Sequence, residues 1–128
     1  MKIQDVVKRT GLSAYTIRFY EKSGILPRIA RTPAGTRDFS EQDISFLCCM
    51  HELKQLGMSL EDITLFMRGG CPNRGREHGG LPQELLERRL QILRQYHALY
   101  EEQKRSLECM LAQIEQQLMM YEKLAEGE

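Results

Sequence analysis

The sequence has 128 residues, 41% of them hydrophobic, and its 18 Lys/Arg balance its 18 Asp/Glu. That length suits one compact domain plus an extension, and the lack of any apolar run near the ~20 residues that span a bilayer excludes a membrane helix. The zero net charge conceals segregation: residues 1–40 sum to +5, residues 41–81 to −2 and residues 82–128 to −3. A basic N-terminal third is an electrostatic footprint for phosphate, while overall neutrality excludes indiscriminate coating of nucleic acid.

The chain opens Met1-Lys2-Ile3-Gln4-Asp5, which is no secretory leader, so a cytoplasmic protein is expected. Ile3, Val6 and Val7 share one face of a first helix that runs to Thr10 and breaks at Gly11. Ser13 caps a second helix running to about Ser23, with Ile17 and Tyr20 on its apolar side, and Gly24 ends it. Two short helices around a glycine-containing turn form a helix-turn-helix pattern.

Residues 26–39 are rich in Pro, Gly and β-branched residues and lack helical period. They predict a small β-hairpin with Pro33-Ala34-Gly35 at its tip, flanked by Arg31 and Arg37. A basic hairpin beside a helix-turn-helix is a wing. Ser40 caps a third helix reaching Leu56, with Asp43 placed to complete a capping box, and Gly57 stops it. Ser59, with Asp62 three residues later, starts a fourth helix that ends at Gly69-Gly70. A glycine-rich loop occupies residues 71–81, and Pro82 suits the first position of the next helix.

The last element is a long helix over residues 82–123, with residues 124–128 left as a disordered tail. Leu86, Leu90, Leu93, His97, Tyr100, Lys104, Leu107, Leu111, Ile114, Leu118 and Tyr121 alternate in steps of four and three, an a/d register over five heptads. At 1.5 Å per residue such a helix is about 60 Å long. It cannot bury this stripe within so small a chain, so a dimeric coiled coil is expected. The alternative is a single helix folded back on its own domain. His97 and Lys104 at the seam either fix register or lie where helices splay. A second stripe, Leu85, Ile92 and Leu99, is expected to pack on a DNA-binding domain. The fold class is therefore mainly α: residues 1–70 form a winged helix-turn-helix domain with a helix pair, followed by a dimerisation helix.

Four cysteines occur, Cys48, Cys49, Cys71 and Cys109, and their spacing is not that of a disulfide framework. In a cytoplasmic setting they are expected to be reduced, with Cys48 and Cys49 as small core residues. Cys71 lies near Arg74, Arg76 and His78 in sequence, and neighbouring cations favour thiolate, which makes it a candidate sensor. Cys109 is a second candidate. Three effector chemistries stay open. One is an electrophile or thiol oxidant; another is a metal held by Cys71, His78 and Cys109. The third is a small organic ligand near Tyr96, His97 and Tyr100. The first and third are favoured over metal, and no cofactor is required. His51, His78 and His97 are scattered and make no catalytic constellation, so an enzyme is not expected.

Three blocks, Gly11 to Pro27, Arg31 to Ser40 and Leu53 to Ile63, resemble the MerR family of transcription regulators, and the likeness extends over about residues 1–122. The resemblance implies two winged helix-turn-helix domains joined by an antiparallel coiled coil. Such a dimer binds a palindrome in an overlong promoter spacer and distorts it, realigning promoter elements for RNA polymerase, and an effector switches its state. The implied DNA-binding residues are Ser13, Tyr15, Thr16, Arg18, Tyr20, Arg31 and Arg37. The implied dimer interface is Leu86, Leu90, Leu93, His97, Tyr100, Leu107, Leu111, Ile114 and Leu118. The helix beginning near Ser13 would enter the major groove, where Arg18 suits guanine or phosphate. The family wing commonly reads Gly-Tyr-Arg, whereas this chain has Gly35-Thr36-Arg37. The chain also carries no cysteine after Cys109, which resembles a short, aldehyde- or thiol-responsive branch more than the metal sensors. A non-regulatory coiled-coil adaptor is the alternative from another class.

Overall fold

The computed structural model describes residues 1–70 and 81–127. It contains five α-helices: α1 (Ile3–Thr10), α2 (Ala14–Lys22), α3 (Glu41–Gln55), α4 (Leu60–Phe66) and α5 (Gln83–Ala125). The chain divides into two units, one ending at Arg89 and the other starting at Leu90. No helix among the described residues is long and apolar enough to cross a membrane.

Serines set where the three middle helices begin. The hydroxyls of Ser13, Ser40 and Ser59 each accept a hydrogen bond from the backbone amide three residues on, at 3.1 Å in every case. At α3 the Asp43 carboxylate accepts from the Ser40 amide in return, at 2.8 Å, closing the capping box. Gly11, at φ 77, turns the chain out of α1 in the left-handed conformation that glycine adopts without penalty, and its amide bonds to Val7 O. These local signals place α1–α4 within a residue or two of where the pattern predicts them. At the far end α5 continues to Ala125, so Leu124 and Ala125 are helical rather than part of a disordered tail.

Helix α1 packs on α2 and α3, and α3 on α4. Val6, Ile17, Leu47, Met50 and Ile63 are the largest fully buried side chains of this first unit. Burying each contributes about 1.5–3 kcal/mol before entropy is counted. The Arg9 guanidinium joins α1 to α3 through both Glu41 oxygens, at 2.7 and 3.0 Å. This hydrogen-bonded pairing raises the Arg9 pKa and lowers that of Glu41.

The wing departs from the expected hairpin. Among the described residues its strands reduce to one antiparallel bridge, Arg31 to Arg37. Around it Thr32 N donates to Thr36 O, Gly35 N to Thr32 O and Asp38 N to Ala30 O, each at 2.8 Å. Pro33 occupies the second position of this tight turn, where its fixed φ helps and its missing N–H costs nothing. The ladder stays short because the chain passes from Arg37 into the Ser40 cap of α3 within three residues. Phe39, buried at the base of the wing, donates its amide to Met1 O at 2.8 Å.

The cysteines correct the expectation of four reduced thiols. Cys48 is free and half-buried, Cys109 is free and exposed, and buried Cys49 is disulfide-bonded. Cys71 lies outside the described residues, as do Arg74, Arg76 and His78 and nearly all of the glycine-rich loop.

The second unit is the rest of α5. Its a/d stripe has no cover: Leu90 is 39% exposed and Leu107 57%, with Leu93, Tyr100, Leu111, Ile114 and Leu118 between these values. Leu86, on the same stripe in the first unit, is exposed too, and so is His97, which approaches Glu101 at 4.0 Å. The second stripe is uneven, with Leu85 half-buried, Ile92 buried and Leu99 exposed.

Candidate nucleic-acid interface

Helix α2 buries Ile17 and Tyr20 and turns its other face to solvent. Tyr15, Arg18, Phe19 and Lys22 recur at helical spacing on that face and all are exposed, Tyr15 at 78%. Such an exposed aromatic and cation on a short, rigidly capped helix can meet base edges and backbone alike. Arg18 makes no hydrogen bond or ion pair among the described residues, so its planar donor fork is available. Ser13 and Thr16 spend their hydroxyls on each other, 2.8 Å apart, and on starting the helix. Both stand at the start of the helix, with capping as their visible role.

Tyr20 lies with Ile17 on the apolar side of α2, as its spacing predicts. It is 4% exposed, its ring tilted against Phe19 with centroids 6.2 Å apart. Burial raises its phenol pKa, since the phenolate would be poorly solvated there. The side chain is foremost a core residue, and Phe19 beside it is the ring on the open face.

The wing brings further cations to α2. Lys2, Arg18, Arg31 and Arg37 line one shallow concavity of about 300 Å³, together with Ile3, Gln4, Gly35 and Thr36. Arg31 donates Nη1 to Gly35 O at 2.9 Å, stiffening the wing tip. Arg37 donates Nε to Glu21 Oε1 on α2 at 2.6 Å. Lys2 stands at the N-cap of α1 without any side-chain cap, so the positive end of that helix adds to the four cations. The arrangement suits a polyanionic backbone crossing the concavity, with α2 alongside. Lys2, Gln4 and Glu21 were not singled out from sequence; an uncapped helix start beginning with lysine was the available signal for the first two.

Elsewhere, Tyr96 and Tyr100 stand with ring centroids 6.1 Å apart on α5. No group of three His, Cys, Asp or Glu among the described residues is arranged to hold a metal ion. A larger concavity of about 680 Å³ is lined by Ile25, Pro27, Gln42, Phe46 and Met67 among others. Its walls come from three separate segments, so no single motif announces it.

Comparison with known proteins places this geometry. Residues 1–70 match the model of the MerR HTH family regulatory protein. A relative from Bacillus subtilis, the uncharacterized HTH-type transcriptional regulator YyaN, is 34% identical, with 93% of this chain and 88% of the relative covered. Among solved structures, HiNmlR, described as a MerR family regulator lacking the sensor domain and bound to promoter DNA, is 32% identical. The TM-score is 0.55, over 92% of this chain and 77% of that one. A MerR-type regulator from Listeria monocytogenes shares the fold at a TM-score of 0.64 and 22% identity, covering 95% of this chain and 86% of its own.

Proposed function

Since the chain belongs to the MerR family, it is a DNA-binding transcriptional regulator and not an enzyme, and we propose that it acts as a cytoplasmic, effector-responsive homodimer on a palindromic promoter spacer. Each subunit lays α2 in the major groove and grips flanking phosphates with its wing. The α5 helices pair in antiparallel fashion and fix the distance between the two heads. Bending a site of this kind costs on the order of 1–6 kcal/mol by elastic estimates, which paired wings and recognition helices offset. The distortion realigns promoter elements, so RNA polymerase is influenced through the DNA. Family membership leaves the adaptor alternative without support.

The observation that carries this reading is the concavity in which Lys2, Arg18, Arg31 and Arg37 converge beside the open face of α2. The uncovered apolar stripe of α5 supports pairing with a second copy. The effector is proposed to be an electrophile or thiol oxidant, acting at the exposed thiol of Cys109, with a small organic ligand as the second chemistry.

The test is binding to the duplex immediately upstream of the chain's own gene, across a salt series. Affinity falls steeply with salt, and Arg18→Ala weakens binding by about tenfold. Unaltered affinity in Arg18→Ala would remove the assignment of α2 as the reading helix. Transcription from the same fragment with aldehyde or diamide, in wild type and Cys109→Ser, tests the thiol effector. A normal response in Cys109→Ser would end it.

A further inference from the structure

Arg37 reaches from the wing to α2, where its Nε donates to Glu21 Oε1 at 2.6 Å. Both side chains are largely withdrawn from solvent, Glu21 to 18% exposure and Arg37 to 26%. Withdrawal of this extent separates the pair from an ordinary surface ion pair, which is fully solvated and contributes little. The contact also answers a local conflict. The wing's bridge sets Arg31 opposite Arg37, and like charges facing each other across an antiparallel pair repel. Arg31 is engaged at the wing tip by Gly35 O, and Arg37 is neutralised by Glu21.

A guanidinium is planar, with five donors in fixed directions. Holding Nε therefore sets the plane of the whole group. The Nη1–Nη2 edge of Arg37 then has no partner among the described residues, and the side chain lines the same concavity as Lys2, Arg18 and Arg31. Resting on the DNA-binding reading of this face, we infer that Glu21 is a positioning residue for DNA. It touches no phosphate, but it locks Arg37 so that the remaining edge of the guanidinium receives a backbone phosphate in two-pronged fashion. The sign of its effect is distinctive. An acidic group beside a phosphate track weakens binding by repulsion, whereas a residue that aims an arginine strengthens it.

The experiment measures binding of the full chain to two labelled duplexes, the fragment upstream of its own gene and a mixed-sequence duplex, over a salt series. Glu21→Ala loses about tenfold in affinity for both, the scale of one charge-assisted phosphate contact. Its salt slope falls by about one, as that of Arg37→Ala does. Glu21→Gln keeps an acceptor oxygen for Nε and recovers most of the loss. In an Arg37→Ala background Glu21→Ala costs nothing further, because its action passes through Arg37. Thermal melts run alongside, and a purely structural role would lower Tm without changing the slope. Binding by Glu21→Ala as tight as wild type or tighter overturns the inference, as does a Glu21→Gln that recovers none of the loss, and so does a Glu21→Ala loss that persists undiminished without Arg37. Failure of the wild type to bind either duplex sinks the DNA-binding reading itself, whereas wild-type binding with a silent Glu21 sinks the inference alone.

Discussion

The Arg89 guanidinium lies over the ring of Phe66, 5.3 Å from its centroid, while its Nη2 donates to the carbonyls of Arg68 and Gly70, each at 2.8 Å. One buried side chain on the second turn of α5 thus satisfies two carbonyls freed at the end of α4. Removing it in Arg89→Ala leaves both acceptors without that donor and uncovers the ring. The expected loss is about 2–3 kcal/mol, measured by urea unfolding. Arg89→Lys should recover only a fraction, because an ammonium cannot lie flat on the ring while serving both oxygens. Equal stability of wild type and Arg89→Ala would show that the contact contributes nothing.

Gly69 lies against the same place. Its φ is +86°, and a Cβ there would stand 2.7 Å from Leu85 Cδ1 and 3.3 Å from Leu81 Cδ1. Leu85 is half-buried and its methyl must shift. Gly24 has a similar φ of +82° with nothing within 4 Å. Gly24→Ala is therefore expected to cost about 1 kcal/mol for its backbone alone, and Gly69→Ala about 2 kcal/mol. Paired chemical denaturation curves check the order of the two, and a reversed order contradicts the close approach.

Tyr20 sets an alkaline limit. Its folded-state pKa is raised by burial above the usual value of 10.0. The neutral phenol is favoured by folding, so this contribution is complete below the unfolded pKa. It is lost as pH rises from there through the folded pKa, because the unfolded chain ionises first. Wild-type Tm should drop between about pH 9 and 11 by more than that of Tyr20→Phe. Parallel pH profiles in the two proteins would mean that Tyr20 ionises freely in the fold.

Much of the fold was legible because its signals are local. For α2, α3 and α4 a serine and an amide three residues on mark the start, and a glycine lies shortly past each end. What escaped were pairings across distance. Nothing in the period of α2 links Glu21 to Arg37, sixteen positions later, and the wing could be anticipated as basic without showing which cation is held. Arg89 reads on a helical wheel as a charge flanking the seam, yet it is buried under Phe66. Cys48 and Cys49 look alike in sequence, but successive residues on a helix point about 100° apart, so one is buried and bonded while the other stays free.

That difference can be read directly. In folded, unreduced protein an alkylating reagent should modify exposed Cys109 fastest, half-buried Cys48 more slowly and disulfide-bonded Cys49 not at all. Mass spectrometry of the digested product gives the three rates. Early labelling of Cys49 before any reductant is added would show its sulfur to be a free thiol.

The proposed pairing through α5 would carry its own electrostatic signature. The row beside the seam reads Glu87, Arg94, Glu101, Glu108, Glu115 and Glu122. Against a second copy, glutamate tends to meet glutamate except where Arg94 falls, so Arg94 would help select orientation and register. Arg94→Glu is expected to raise the dimer dissociation constant at least tenfold at low salt, with added salt restoring part of it. Leu111→Asp, at the seam itself, should abolish the dimer at any salt. Sedimentation equilibrium measures both, and a wild type that sediments as a single subunit would refute the pairing.

Because α2, α3 and α4 are each started by their own serine, the order of events on the ribosome follows from the order of the chain. The first unit ends at Arg89, and within it α1 packs on α2 and α3, and α3 on α4. Most of the long α5 is synthesised after them. Nascent subunits would thus present finished heads before their pairing helices emerge, and association would begin only when translation is nearly done.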